Sequence, residues 1–587
     1  MARPVVKGQP PTRRELLDAE GFVGPRDPGG RLSVALVWPG TYRSGMSALG
    51  FMWVYGYLNG RPDVLAERFF LPPGQPAASR LVSLESRRPL GDFDLIAASL
   101  TLENDYWLLP RMLSWAGLAP ERRRRDGGPL VLAGGVGVWS NPWPLMDFVD
   151  LALIGEGELQ WPALADLHRR RDFLTLDRRG RLEALAAEVP GALAPELLSA
   201  EELSGAARPP AVAPAVVPWP FRPDQGPPVS PAITPYAEFA RTALVEISRG
   251  CPWGCRFCLA GFLYRPHRIW PLEAILAALA PFRRPGGRAG LVSSAVAEHP
   301  DLDALLEILH QEGLTASLSS MRLTAVTEKL ARRLAQGRLL GLAVAPEGAT
   351  AELRAAVNKN LDEEEMVAGV RLLALAGLRR LKLYFLLGLP GETDDDLEAM
   401  AALAGRLHRA SRVGRGGRGG PLLAVSAANF TPKPHTPLEE AALLTEEEMR
   451  RRGRLLTEHF RRLSLGRDRI ELRLDPPRWS LIQGLLARGG PQSGALVKAL
   501  ADCDGRAGPA LAAVGYESSW PVHRPWEGPK PWRATAPAVG WAALEREKAL
   551  AESRTLTPPC PAELGCGRCA ACGSEKAETP RAAKELG

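Results

Sequence analysis

Short apolar runs alternate with helix-like segments through the first 165 residues. The runs LSVALV from Leu32, LIAAS after Asp94, LVLAG and LALIG each have the length of a buried strand. Continuous apolar strands that alternate with helices are typical of a parallel sheet covered on both faces. The pattern predicts a doubly wound, Rossmann-like domain over residues 31–165, which follows a polar lead-in of residues 1–30.

A second alternation of strands and helices begins after Ala243. Residues 166–236 precede it and are rich in proline, which predicts a linker. Six strand–helix units then predict a partial (β/α)6 barrel over residues 237–440, with its active site at the carboxyl ends of the strands. Residues 441–587 are predicted to be a small, mostly helical region that ends in a cysteine-rich tail. The predicted fold class is therefore α/β.

Composition narrows the function classes. The 587 residues are 45% hydrophobic and 24% charged, which is a globular balance, and the net charge of +7 is modest for this length. The charge does not indicate nucleic acid as a partner. No apolar run reaches the ~20 residues of a membrane span, and the start has no apolar signal segment. We therefore expect a cytoplasmic protein without a membrane partner.

The eight cysteines fall into two tight groups and one single residue. None precedes Cys251, and Cys503 stands alone. The first group is Cys251, Cys255 and Cys258, and the second is Cys560, Cys566, Cys569 and Cys572. Tight clusters in a large chain favour metal binding over a disulfide framework.

The first group has the spacing Cys-x3-Cys-x2-Cys and follows the first predicted barrel strand. Three thiolates on one loop can hold three irons of a 4Fe–4S cluster, which leaves the fourth iron open to a small molecule. The alternative is a zinc site that His267 would complete. The position at the end of a barrel strand favours the iron–sulfur cluster.

The pattern Cys-x3-Cys-x-Phe-Cys, with Phe257 before the third cysteine, resembles the radical S-adenosylmethionine (SAM) enzymes. The resemblance implies that the open iron binds the amino and carboxylate groups of SAM. One-electron reduction would then cleave SAM to methionine and a 5′-deoxyadenosyl radical, which abstracts hydrogen from carbon. It also implies a one-electron reductant such as flavodoxin or ferredoxin as a partner.

The same resemblance places SAM contacts along the barrel. The segment VAPEGAT would contact ribose through Glu347, and Arg322 would pair with the SAM carboxylate or a substrate anion. The alternative for Glu347 is an acidic residue at a helix N-terminus, and the alternative for Arg322 is an ordinary surface arginine. The family's Gly-Gly-Glu motif is replaced by SSAVAEH. The predicted SAM contacts are Phe257, Arg322, Glu347, Gly388, Leu389 and Pro390.

The N-terminal sheet has no cysteine, which excludes the mechanism of the methylthiotransferases. Its segments VALVWPGTYRSGMSALGF and IGEGE resemble the cobalamin-dependent radical SAM group. The Asp-x-His-x-x-Gly cobalt motif is absent, since the first histidine is His168. The alternative is a sheet that binds another ligand. The predicted cobalamin contacts are Pro39, Gly40, Ser99, Gly134, Gly135, Gly155, Glu156 and Gly157.

The tail has the spacing Cys-x5-Cys-x2-Cys-x2-Cys, which predicts zinc or a second iron–sulfur cluster. Together these features resemble a cobalamin-domain radical SAM group, with the further marks CRFCLAGFLYRPHR, APEGAT and FTPKPHTP. The implied function is cobalamin-dependent methylation of an unactivated carbon. A non-methylating radical rearrangement or cyclisation is one alternative, and a zinc-ribbon, nucleic-acid-associated protein is the other.

Overall fold

The chain contains two α/β units, each built on mainly parallel strands. The predicted α/β fold class is confirmed. The computed structural model describes residues 10–22, 32–72, 81–171, 173–203, 218–221, 225–337, 341–412, 422–463, 470–535, 539–561, 566, 568, 569, 571 and 572. Residues 1–9 and 23–30 of the predicted lead-in lie outside these residues, as do residues 172, 204–217 and 222–224 of the predicted linker. Both assignments stay predictions.

The N-terminal unit is a six-stranded sheet of order β3-β2-β4-β5-β6-β7, parallel except for β7. Its strands are β2 (Leu32–Val37), β3 (Val64–Phe69), β4 (Leu95–Ser99), β5 (Leu130–Gly134), β6 (Leu151–Leu153) and β7 (Ala192–Leu193), after the two-residue β1 (Gly21–Phe22). Its helices are α1 (Arg13–Asp18), α2 (Tyr42–Gly45), α3 (Leu49–Asn59), α4 (Leu108–Trp115), α5 (Val136–Ser140), α6 (Gly157–Arg171), α7 (Arg178–Glu188) and α8 (Ala200–Leu203). The helix α7 and the strand β7 thus lie in the region predicted as a linker.

Both faces of this sheet are buried. On one face Val34 and Leu36 of β2 pack against α3, α6 and α7. On the other face Ala35 and Val37 pack against α4 and against helices from the far end of the chain. Those helices are α16 (Pro477–Arg488), α17 (Gly494–Asp502) and α18 (Ala507–Ala513). The C-terminal region therefore covers one face of the N-terminal sheet.

The strands of the barrel lie side by side in the order in which they occur along the chain. Its parallel strands are β9 (Ala243–Glu246), β12 (Arg288–Val292), β13 (Thr315–Leu318), β14 (Gly341–Glu347), β15 (Arg380–Leu387) and β16 (Leu422–Asn429). A seventh parallel strand, β17 (Ile470–Leu474), pairs with β16 beyond the predicted six. A hydrogen bond of 3.1 Å from the Met321 N–H to the Ala343 carbonyl links the segment after β13 to β14.

Helices cover the outside of the barrel. They are α9 (Leu272–Leu279), α10 (Leu302–Gln311), α11 (Glu328–Gln336), α12 (Ala351–Ala356), α13 (Glu363–Leu375), α14 (Asp394–Ala410) and α15 (Glu446–Leu463). Three short strands complete the set, namely β8 (Ala232–Ile233), which pairs with β1, and β10 (Ser248–Arg249) and β11 (Arg268–Ile269), which pair with each other. Among the described residues the last helix is α19 (Trp541–Glu552). The carboxyl ends of the barrel strands face the N-terminal unit across a cavity.

Candidate active site

The cysteine loop leaves the barrel between two short paired strands. Ser248 and Arg249 of β10 pair with Ile269 and Arg268 of β11, which closes the loop at its base. Gly250 begins the loop with φ +77°, and a Cβ there would lie 2.3 Å from the Tyr264 carbonyl oxygen. Only glycine fits this close approach of two backbone segments.

The three loop cysteines line one cavity of about 170 Å³ at the carboxyl ends of the barrel strands. Burial raises the pKa of the Cys251 thiol to about 12, and the neighbouring Cys255 and Cys258 raise it further. Burial likewise raises the pKa of Cys258. Thiols whose pKa is raised in this way, as those of Cys251 and Cys258 are, need cationic partners to become thiolates. This donor set fits an iron–sulfur cluster, with each thiolate on a different iron.

Within the part of the chain that the structure describes, no three His, Cys, Asp or Glu side chains are arranged around a point where one metal ion would sit. His267, the residue that would complete a zinc site, is not among the residues lining the cysteine cavity. Burial lowers its pKa to about 4, and His299 and Arg268 beside it lower it further. His267 lies in the loop behind the cavity rather than in its wall.

A buried ion pair forms one wall of the cysteine cavity. Lys359 Nζ lies 3.6 Å from Glu347 Oε1, and each side chain is 13% exposed. Glu347 ends β14 with φ +66°, where the pairing with β15 shifts register. A non-glycine residue in this conformation is strained and marks a constrained position. Burial raises the pKa of Glu347, which Lys359 partly offsets.

A stacked cation forms another part of the cavity wall. The Arg322 guanidinium lies 3.9 Å from the centre of the Trp253 ring, and it donates a hydrogen bond to the Asn360 carbonyl. Trp253 Nε1 in turn donates to Glu298 Oε1 at 2.9 Å. Burial lowers the pKa of Arg322, although Cys255 and Glu298 act in the opposite direction. Arg322, Lys359 and Glu347 thus bring both signs of charge to the cavity that holds the thiols.

A larger cavity of about 510 Å³ lies between the N-terminal sheet and the barrel. Its floor is formed by the carboxyl ends of β2, β4, β5 and β6 and by the first turns of α3 and α6. Ligands of doubly wound sheets bind at this edge. Its N-terminal wall includes Trp38, Phe51, Trp53, Ser99, Gly134, Gly135, Gly155, Glu156, Gly157 and Trp161.

The barrel side of this second cavity is polar. It contains Glu246, Ser248, Arg249, Ser293 and Ser294. Ser294, just after β12, is also part of the wall of the cysteine cavity. The two cavities therefore meet at a small, exposed side chain.

Glu156 joins the two units. It binds Arg268 at 2.5 and 2.9 Å and lies 3.2 Å from Arg249, and its side chain is 1% exposed. Burial raises the pKa of Glu156, but Arg249 and Arg268 outweigh that effect and hold it below its usual value. This carboxylate is occupied by two arginines of the barrel, and it acts as a bridge between the units as well as part of the cavity wall.

Two family models of known proteins match parts of the chain. A family model described as the radical SAM superfamily matches residues 245–404, which include the cysteine loop. A second, described as radical SAM proteins, N-terminal, matches residues 50–195. The chain therefore carries a radical SAM domain over residues 245–404. It is an enzyme, and its general reaction is the reductive cleavage of SAM at an iron–sulfur cluster.

Two archaeal relatives align with this radical SAM chain. The uncharacterised protein MJ0966 of Methanocaldococcus jannaschii is 25% identical over 416 residues, which are 69% of this chain and 79% of the relative. The uncharacterised protein MK0932 of Methanopyrus kandleri is 26% identical over 241 residues, which are 38% of this chain and 45% of the relative.

Two solved structures of radical SAM enzymes are similar to part of this chain. The methyltransferase TsrM of Kitasatospora setae, solved with cobalamin and a 4Fe–4S cluster, has 15% identity and a TM-score of 0.46, and the match covers 72% of this chain and 75% of TsrM. The cobalamin-dependent enzyme OxsB has 15% identity and a TM-score of 0.39, with coverage of 64% and 52%.

The predicted SAM contacts divide into two groups in the structure. Phe257, Arg322 and Glu347 line the cysteine cavity. Gly388, Leu389 and Pro390 do not line it. The N–H groups of Gly388 and Leu389 instead donate to the Glu392 carboxylate at 2.6 and 3.0 Å, while Pro390 is exposed. Leu389 belongs to an apolar cluster against which Phe257 packs, so it supports the cavity from behind.

The predicted cobalamin contacts also divide. Ser99, Gly134, Gly135, Gly155, Glu156 and Gly157 line the second cavity, whereas Pro39 and Gly40 do not. Trp38 lies on the cavity in their place, held by a hydrogen bond from its Nε1 to Ser44 Oγ at 3.0 Å. A Cβ on Gly40 would lie 2.6 Å from that Nε1, so Gly40 leaves room for the Trp38 ring.

Four residues of the two cavities were not predicted from the sequence, namely Lys359, Trp253, Glu298 and Ser294. Lys359 follows α12 in the polar turn VNKN, where Asn358 has φ +53°. Such a turn at the end of a helix gives no signal by itself. Only the fold brings Lys359 beside Glu347. Among the described residues, no helix has the length and apolar character needed to cross a membrane.

Proposed function

We propose that this radical SAM enzyme binds cobalamin in the cavity between its two units and methylates an unactivated carbon of its substrate. The observation that carries this proposal is the meeting of the two cavities at Ser294. A carbon that is first activated and then methylated must reach both the radical source and the methyl donor. Two cavities that share a wall residue would place both next to one another.

The second cavity suits a large, flat ligand. Gly134 and Gly155 line the cavity at the ends of β5 and β6, while Trp38, Trp53 and Trp161 give apolar surface. A cavity of about 510 Å³ with apolar walls and a few polar groups is typical of cofactor sites. Cobalamin bound here would supply the methyl group. Ser248, Ser293 and Ser294 would provide hydrogen-bonding groups on the barrel side.

The residues of the cysteine cavity have separate roles in this proposal. Cys251, Cys255 and Cys258 bind the cluster that supplies the electron for SAM cleavage. Lys359 and Arg322 would place positive charge beside the SAM carboxylate, and Glu347 would accept hydrogen bonds from its ribose. Phe257 contributes an apolar face beside the third cysteine.

Equilibrium dialysis of the anaerobically reconstituted protein against hydroxocobalamin tests the proposal. We expect about one cobalamin per chain, with a shifted absorption band in the bound state. A protein that contains its cluster and cleaves SAM but binds no cobalamin would contradict methylation. That result would favour a radical rearrangement or cyclisation that needs no methyl donor.

A further inference from the structure

A third cavity, of about 470 Å³, lies between α15 and the end of β17, the last strand of the barrel. Its walls are one flank of α15 and the turn that joins β17 to α16. Leu387 and Asn429, the last residues of β15 and β16, also line it. The cavity thus reaches the carboxyl ends of the barrel strands, and it shares no residue with the two cavities described above.

Three arginines of α15 line this cavity. Arg450, Arg454 and Arg461 follow one another at intervals of four and seven residues, which places them on one flank of the helix. All three side chains are exposed. Arg450 pairs with Glu446, whereas Arg454 and Arg461 have no ion-pair partner among the described residues. The flank therefore presents guanidinium groups that are free to bind a ligand.

The other flank of α15 is occupied by α14 and the turn before it. Arg451 donates two hydrogen bonds of 2.8 Å to Asp394, and Arg452 lies 3.3 Å from Glu392. The face between the two flanks is buried on the barrel through Met449, Gly453, Leu456 and Phe460. The arginine flank therefore points away from α14 and towards the edge of the sheet at β17.

The strand β17 leaves one edge of its sheet open. It pairs with β16 alone, in a register that sets Leu474 opposite Ala427. The Asp475 N–H donates to the Ala427 carbonyl, so Asp475 and every second residue before it direct their N–H and C=O groups at β16. The N–H and C=O groups of Leu472 and Leu474 therefore point away from β16, and no other described backbone group bonds to them. Such an edge is a template for pairing with another chain.

Leu474 gives the groove an apolar surface next to the arginines. Its side chain is 37% exposed, and a Cβ on Gly453 would lie 3.2 Å from its Cδ1. The Leu474 side chain therefore lies on the side of β17 that faces α15. Side chains alternate between the two faces of a strand, so a strand added at this edge would place every second side chain between Leu474 and the arginine flank.

We propose that the groove between α15 and β17 binds an acidic peptide segment of a partner protein, which adds a strand to the open edge of β17. The main chain of the peptide pairs with the free N–H and C=O groups of Leu472 and Leu474. Its carboxylates bind the guanidinium groups of Arg450, Arg454 and Arg461. In strand addition of this kind the main chain supplies affinity and alternate side chains supply specificity.

The open edge favours a peptide over a nucleic acid. A phosphate backbone could use the arginines, but it has no alternating N–H and C=O groups that pair with a strand. Glu458 and Asp475 also line the cavity and would repel a continuous run of phosphates. The inference does not depend on SAM cleavage or on cobalamin, because neither of the cavities assigned to them includes a residue of this groove.

Fluorescence anisotropy of a labelled peptide of alternating glutamate and valine tests the groove, with the anaerobically reconstituted full chain as receptor. We expect saturable binding that weakens about tenfold or more in the double variant Arg454→Ala, Arg461→Ala. Arg462→Ala is the matched control, since Arg462 is exposed on the same helix but does not line the cavity, and it should keep the affinity. No binding to the unmodified protein, or equal affinity of the double variant and the control, would overturn the proposal.

Two further probes test the strand pairing. A labelled peptide of alternating glutamate and proline carries the same charge but cannot extend a sheet, and it should bind about tenfold more weakly or less. An oligothymidylate of similar length should also bind more weakly than the glutamate–valine peptide. Equal affinity for the proline peptide would overturn the pairing with β17, and equal or higher affinity for the oligothymidylate would overturn the choice of a peptide. SAM cleavage and cobalamin binding by the double variant should be unchanged, which separates this test from failure of the methylation proposal.

Discussion

Lys359 Nζ lies 3.6 Å from Glu347 Oε1 in the wall of the cavity that holds the three loop cysteines. Burial lowers the pKa of Lys359, but Cys255 and Glu347 more than offset this and raise it above its usual value. The ammonium group therefore stays charged beside the thiolates and the carboxylate. In the proposed function it would balance the negative charge of the cluster thiolates and of the SAM carboxylate.

Replacing Lys359 with methionine should weaken SAM binding. The substitution keeps the length of the side chain but removes the charge that faces the SAM carboxylate. We expect the dissociation constant for SAM to rise about tenfold, or ~1.4 kcal/mol, by equilibrium dialysis of the reconstituted protein. The control is Lys329→Met, since Lys329 is exposed and pairs with Asp303 on the outside of the barrel. Unchanged SAM affinity in Lys359→Met would refute the role of this ammonium.

Glu347 should make the protein's stability depend on pH. Its pKa is raised by burial, so the folded chain holds this proton more tightly than the unfolded chain does. Stability from this group therefore falls as the pH rises from the unfolded pKa, ~4.5, to the raised folded value. In Glu347→Gln this loss is absent, so the melting temperature relative to the unmodified protein should increase between about pH 5 and about pH 7.5. A constant difference across that range would contradict the assignment.

Blocking the second cavity should remove cobalamin but not iron. Gly50 lies in the first turn of α3 on the cavity wall, and a Cβ there meets nothing within 4 Å. Gly50→Trp should therefore place a ring in the cavity without a backbone clash, and cobalamin affinity should fall at least tenfold. Gly127→Trp, at an exposed loop position that is also open, is the matched control. Equal cobalamin binding by both variants would place the ligand elsewhere.

Removing the charge of Glu156 should loosen the contact between the two units. In Glu156→Gln the buried guanidiniums of Arg268 and Arg249 lose their shared carboxylate, which costs about 3 kcal/mol. The folded pKa of Glu156 is depressed, so its contribution is present above the unfolded pKa and is lost as the pH falls through the folded value. The difference in melting temperature should therefore be large near neutral pH and shrink under acid conditions. A difference that grows on acidification would contradict this sign.

Most of the sheet strands were predictable because their apolar runs are continuous. The strand β3 was missed, since Glu67 and Arg68 interrupt its pattern VLAERF. The structure buries both of these charges. Glu67 accepts a hydrogen bond from Ser86 Oγ at 2.7 Å, and Arg68 pairs with Glu20 and Glu85, each at 2.7 Å. These partners are distant in sequence, so no local pattern predicts them.

The parts of the site that lie within one continuous segment of the chain were predictable from the sequence. The spacing of Cys251, Cys255 and Cys258 lies within a single loop, and these residues do line one cavity. The glycines at the ends of β5 and β6 likewise follow their strands directly. By contrast, the Lys359–Glu347 pair and the contact of Cys560 with Pro252 join segments that only the folded chain brings together. The packing of α16 on the N-terminal sheet likewise joins segments that are distant in sequence.

The most direct test of the account follows both fates of SAM in one reaction. The reconstituted protein is incubated anaerobically with SAM, hydroxocobalamin and a one-electron reductant, and the products are quantified by mass spectrometry. The account predicts 5′-deoxyadenosine from radical cleavage, together with S-adenosylhomocysteine, which is left when SAM gives up its methyl group and should form only when cobalamin is present. Cys255→Ser should lose the 5′-deoxyadenosine. Formation of 5′-deoxyadenosine with no S-adenosylhomocysteine would contradict methylation, and the absence of both products would contradict the account as a whole.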